Sequence, residues 1–154
     1  MKKKIQRRLF FLVFIVGIIA GILIPTDLIK EKLQSGVKSE VIDIPKKFGQ
    51  LDNDAGSFKY AVIEKTSGGS ISLIRVDDEI KTHVINSADN FFYVNKGRVV
   101  INISGVNYEA GPGQIISIPA GSPRSIKRIG DSPVELILFS VPPFEKENII
   151  FSSS

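Results

Sequence analysis

The run Gly113-Gln114-Ile115-Ile116-Ser117-Ile118-Pro119-Ala120-Gly121-Ser122-Pro123-Arg124 decides the fold. It reads as a tight turn, a short strand rich in β-branched residues, a second turn, and an arginine that opens another strand. The same grammar extends in both directions. Segments rich in β-branched and aromatic residues span 59–64, 70–76, 81–85, 91–94, 98–104, 107–110, 114–118, 124–129 and 134–141. Between them fall Ser67-Gly68-Gly69, Asp77-Asp78, Asn95-Lys96-Gly97, Ser104-Gly105, Gly111-Pro112-Gly113, Pro119-Ala120-Gly121 and Gly130-Asp131, all turn-forming clusters. Short strands at this regular spacing predict an all-β sandwich or barrel. Val141-Pro142-Pro143-Phe144 ends the series, because consecutive prolines cannot continue a ladder.

Composition narrows the chemistry. The 154 residues include no cysteine and a single histidine, His83. Disulfides and thiolate chemistry are excluded, and no site built from several histidines fits within one chain. The formal charge of +4 suggests a nucleic-acid binder until its location is considered. Five of the 20 basic residues (Lys2, Lys3, Lys4, Arg7, Arg8) lie before residue 9, and no acidic residue precedes Asp27. The remainder carries 15 basic against all 16 acidic residues, so no nucleic-acid partner is expected.

Those five charges precede an unbroken apolar run, Leu9 to Ile24, closed by Pro25. No small-residue cleavage signal is complete, since cutting after Ala20 would put Ile18 at the outer site and cutting after Gly21 would put Ile19 there. The run is therefore read as an uncleaved transmembrane helix over 9–25 rather than a removed signal peptide. The positive-inside rule then leaves residues 1–8 as a cytoplasmic stub and everything after Pro25 on the outer face. Residues 26–57 form a membrane-proximal tether, with Val41-Ile42-Asp43-Ile44 as a candidate first strand whose edge could pair with a second copy. A barrel over 58–144 and a tail over 145–154 complete the organisation.

Gly113, Pro119 and Gly121 match the second motif of the cupin superfamily, G-x5-P-x-G-x2-H-x3-N, which the chain resembles over roughly 58–144. The resemblance implies a jelly-roll barrel of two antiparallel sheets. It also locates the residues that stand where relatives place metal ligands. In the second motif Arg124 replaces the histidine and Arg128 the asparagine. In the first, G-x5-H-x-H-x3,4-E-x6-G, Gly97 closes the motif, His83 stands at the first histidine, Ile85 at the second and Asn90 at the glutamate. An isoleucine has no donor atom and a guanidinium repels a cation, so a divalent metal is disfavoured and no cofactor is expected.

Strand alternation places Arg124, Ile126 and Arg128 on one face. A buried arginine needs a partner, either an internal acid that locks it in a salt bridge or a small anion or sugar acid bound through Arg124 and Arg128 with His83 and Asn90 as hydrogen-bond partners. The expected function is a membrane-anchored binding module or an accessory subunit of a membrane complex, with homodimerisation an option the resemblance adds. Two enzymatic alternatives stand beside it. One resembles metal-free cupin sugar epimerases or isomerases, with His83 as base and Tyr93 or Tyr108 as acid. The other is a metalloenzyme drawing non-standard ligands from Glu64, Asp77, Asp78 or Glu79.

Overall fold

The structure, a computed structural model, describes residues 40–51 and 56–151. Strands β1 (Phe58–Lys65), β2 (Ser70–Val76), β9 (Val134–Val141), β4 (Asp89–Lys96) and β7 (Ile115–Ile118) form one five-stranded sheet in that order. Strands β10 (Ile149–Phe151), β3 (Glu79–Ile85), β8 (Arg124–Ile129), β5 (Arg98–Ile103) and β6 (Val106–Ala110) form the other. Every pairing is antiparallel. All nine expected strands are present, with ends displaced by at most two residues. β10 is the addition. The segment read as a tail makes a single 3-10 turn (Lys146–Asn148) and then pairs with β3, Phe151 opposite His83.

Period-two alternation buries one face of each sheet against the other. Ile74 and Val76 of β2, Val134, Leu136 and Leu138 of β9, and Phe92 and Val94 of β4 pack with Ile80 of β3, Val99 and Ile101 of β5, and Ile126 of β8. The cross-strand register lines these up, since Ile74 lies opposite Leu136 and Leu136 opposite Val94.

Two glycines are required by geometry. Gly97, between β4 and β5, has φ +81°, and a Cβ there would stand 3.0 Å from the Pro133 carbonyl oxygen. Gly121, in the turn before β8, has φ +77° and donates its N–H to Ile85 O at 2.9 Å, which ties the turn to the end of β3.

The stretch 41–44 is not a strand. Ile44–Gly49 forms a helix, α1, because Asp43 caps it by accepting from Lys46 N at 2.9 Å and Pro45 sits in the first turn, where its missing N–H costs nothing. A strand edge at 40–44 is therefore unavailable for pairing with a second copy. Phe48 and Leu51 instead bury against Leu73, with Ala61, Ile63 and Ile137, on the outer face of the first sheet. Further along that face Phe91, Phe139 and Ile115 remain partly exposed. Among the described residues no helix is long and apolar enough to cross a membrane, and the run 9–25 lies outside them.

Candidate functional site

Between the sheets lies a cavity of about 370 Å³. Ile80, His83 and Ile85 of β3 and Ile126 of β8 line it from one sheet. Phe58 and Tyr60 of β1, Ile74 of β2, Phe92 of β4 and Leu138 of β9 line it from the other, and Phe144, Ile149 and Phe151 close the mouth. Among the described residues that line it, only His83 and Tyr60 carry polar side-chain atoms. The aromatic groups are held in place by one another. Tyr60 meets Phe144 edge-on, with ring centroids 5.9 Å apart, and His83 meets Phe151 at 5.7 Å.

His83 is 5% exposed and its Nδ1 lies 2.8 Å from Lys81 O. A carbonyl can only accept, so Nδ1 carries the proton and Nε2 of the neutral ring is left as an acceptor. Burial holds the imidazole below its ordinary value. The backbone hydrogen bond to Lys81 works against this, and the nearby charge of Arg124 adds to the depression.

Arg124 pairs across the sheet with His83 and is 0% exposed. Its Nε donates to Ser122 O at 3.2 Å and its Nη2 to Ile85 O at 3.3 Å. Its Nη1 has no hydrogen-bond partner. Among the described residues the ion pairs are Lys59–Asp77, Lys65–Glu145, Arg75–Asp77 and Arg98–Glu109, none of which includes it. Burial lowers its pKa to about 10, so the guanidinium is still charged at neutral pH. The result is an unpaired buried cation that adjoins the cavity through His83 and Ile85.

The other two expected site residues are engaged elsewhere. Asn90 is fully buried on β4, in the opposite sheet, where its Nδ2 donates to Ala88 O at 2.8 Å and its Oδ1 accepts from Ser140 Oγ at 2.9 Å. Arg128 lies four residues beyond Arg124, about 13 Å along the strand, and its Nη1 donates to Gly130 O. The structure thus brings together His83, Ile85 and Arg124, and leaves Asn90 and Arg128 outside that group.

These residues do not fit a divalent ion. Of the four positions that correspond to the family's ligands, one has no donor, one is a cation and one is an amide spent on internal bonds. Among the described residues no three of His, Cys, Asp or Glu come together, so Glu64, Asp77, Asp78 and Glu79 do not assemble a site with His83. Asp77 is instead paired with Lys59 at 3.2 Å and Arg75 at 3.2 Å.

The tyrosines expected as acids are also displaced. Tyr93 faces away from the cavity, opposite Ile137 and Ile115 on the outer side of its sheet, and Tyr108 is exposed on the edge strand β6. The tyrosine that shares the cavity with His83 is Tyr60. The aromatic lining was the part that strand patterns left unread. Phe92 could have been found, because it shares parity with Asn90, but the arrival of Phe144 and Phe151 depends on β10, which three residues do not announce.

Fold and site together define a double-stranded β-helix of the cupin type with two sheets around a small, mostly apolar cavity. Residues 71–141 match the cupin domain family, and solved structures of a cupin domain and of a double-stranded β-helix domain share this fold. An uncharacterized protein of Methanocaldococcus jannaschii is 25% identical over 77 residues, 50% of this chain and 62% of that relative, so the match spans less than two thirds of the relative's length. A Klebsiella pneumoniae protein with a double-stranded β-helix domain superposes with a TM-score of 0.63 at 14% identity, covering 76% of this chain and 100% of that one. A Thermus thermophilus protein gives 0.60 at 20% identity, with 69% and 100% covered. A Streptomyces PAC13 variant with uridine gives 0.61 at 12% identity, with 76% and 92% covered.

Proposed function

We propose that this protein is a membrane-anchored binding module whose barrel, on the outer face, takes a small anion. The observation that carries the reading is Arg124: a fully buried guanidinium with, among the described residues, no carboxylate partner and with Nη1 unbonded. An isolated buried charge costs several kcal/mol, and a ligand anion recovers that cost where no protein carboxylate does. His83, at the cavity wall beside it, accepts an orienting hydrogen bond at Nε2 from a hydroxyl of the ligand. The anchor rests on the apolar run Leu9 to Ile24 behind five basic residues.

Thermal unfolding of the full chain in a mild detergent, with acetate, phosphate or gluconate added, tests the site. The reading expects at least one anion to raise the midpoint of the wild type and to leave Arg124→Met unmoved. Equal shifts in both proteins would remove Arg124 from the site. Retention of the chain in alkali-washed membranes, lost on deletion of residues 1–25, tests the anchor.

A second reading is favoured by one observation, that His83 and Tyr60 line the same cavity. A neutral imidazole with Nε2 available is a competent base and a phenol a competent acid, the pairing an epimerase or isomerase uses. Exchange of solvent deuterium into a bound sugar acid, abolished by His83→Gln, would favour it over simple binding.

A further inference from the structure

We infer, resting on the binding reading above, that the ligand is a compact aromatic hydroxy acid rather than a polyhydroxylated sugar acid: a flat apolar body with a carboxylate for Arg124 and a neighbouring hydroxyl for His83.

The lining decides the body. Phe58, Tyr60, Phe92, Phe144 and Phe151 surround the space, with aliphatic side chains filling the gaps. A sugar acid brings a hydroxyl on nearly every carbon, and each one buried here without a partner weakens binding by about tenfold. Only His83 and Tyr60 could answer them. An aromatic ring needs no such partners and gains edge and face contacts from the phenyl groups. The volume of about 370 Å³ lies at the small end of ligand cavities and suits a body of about ten to fifteen heavy atoms.

Two polar groups decide the head, His83 on the cavity wall and Arg124 directly behind it, because they are of opposite hydrogen-bond sense. Arg124 offers only donors and a positive charge. His83, with Nδ1–H committed to Lys81 O, offers only the acceptor Nε2. A bare carboxylate satisfies the first and sets a lone pair against the second. A carboxylate with a hydroxyl on the adjacent carbon satisfies both at once: its oxygens accept from the guanidinium and its O–H donates to Nε2. Cross-strand pairing of His83 with Arg124 keeps the two side chains close enough for one small head group to serve both.

Matched probes separate these elements in titration calorimetry on the full chain in detergent, with Arg124→Met titrated identically to subtract partition into micelles. Mandelate is expected to bind at least about tenfold more tightly than lactate, which lacks the ring, and than gluconate, which adds hydroxyls. Phenylacetate, which lacks the hydroxyl, is expected to bind about fivefold to tenfold more weakly than mandelate, and His83→Phe should erase that difference. Gluconate or phosphate binding as tightly as mandelate, still dependent on Arg124, would overturn the inference and leave the anion reading intact. Benzyl alcohol matching mandelate, with no dependence on Arg124, would overturn both, as would the absence of heat from every probe.

Discussion

Replacing Arg124 with methionine should make the empty protein more stable while removing its affinity for anions. The depression of the guanidinium pKa to about 10 corresponds to about 3 kcal/mol of unfavourable burial. Against that relief stand two hydrogen bonds, at 3.2 and 3.3 Å, each worth about 1 kcal/mol. One of the two acceptors is not orphaned, since Ile85 O keeps its bond from Gly121 N at 2.9 Å. Methionine fills much of the same volume without a charge, as in other cases where hydrophobic replacement of buried ions is neutral or stabilising. The net expectation is a gain of about 1–2 kcal/mol, which moves a urea midpoint upward by about 0.5–1 M. Urea unfolding of the full chain in detergent, followed by far-UV circular dichroism, measures it. Wild type saturated with a bound anion should recover the gap, because ligand at about a hundred times Kd adds about 2.7 kcal/mol. A lower midpoint in Arg124→Met, with no anion able to raise the wild type, would show that the arginine holds the barrel together and that the reasoning from its missing partner is mistaken.

Three further outcomes follow from other positions. His83 has its native pKa held below the ordinary 6.5 by burial, so well above that pH neither state binds the proton, whereas on acidification the unfolded chain takes it first; midpoints should fall as the pH drops through 6.5, and His83→Phe should flatten that dependence. Gly97→Ala combines φ +81° with a Cβ at 3.0 Å from a backbone oxygen, and should cost about 2–3 kcal/mol in chemical unfolding. Phe151→Ala removes a half-exposed ring from the cavity mouth; it should change stability by less than about 1 kcal/mol but speed dissociation of a bound probe, measured by stopped-flow displacement.

The barrel was legible because its signals are local. Glycine, proline and aspartate clusters punctuate the chain and mark the ends of its strands. The helix α1 was not, because Val41-Ile42-Asp43-Ile44 has the composition of a strand, and the outcome was settled by the Asp43 cap together with Pro45. Motif positions picked out His83, Ile85 and Arg124, of which His83 and Ile85 line the cavity and Arg124 lies against both of them. They could not reveal that Asn90 is spent on Ala88 and Ser140, or that Arg128 turns back to Gly130, since both depend on neighbours fixed only by the tertiary fold. The apolar character of the cavity escaped for the same reason, because Phe58, Phe92, Phe144 and Phe151 are far apart in sequence and meet only when both sheets close.

The position of β9 has a consequence for how this chain is made. β9 lies between β2 and β4, yet its residues 134–141 are synthesised after both of them. While the ribosome is still at work, both of its neighbours present bare edges, the state most prone to wrong pairing with another nascent chain. A product terminated before residue 134 retains that defect permanently. Closure of this sheet is therefore a single event that awaits residues 134–141, and stop codons before residue 134 should yield aggregates rather than partly working fragments.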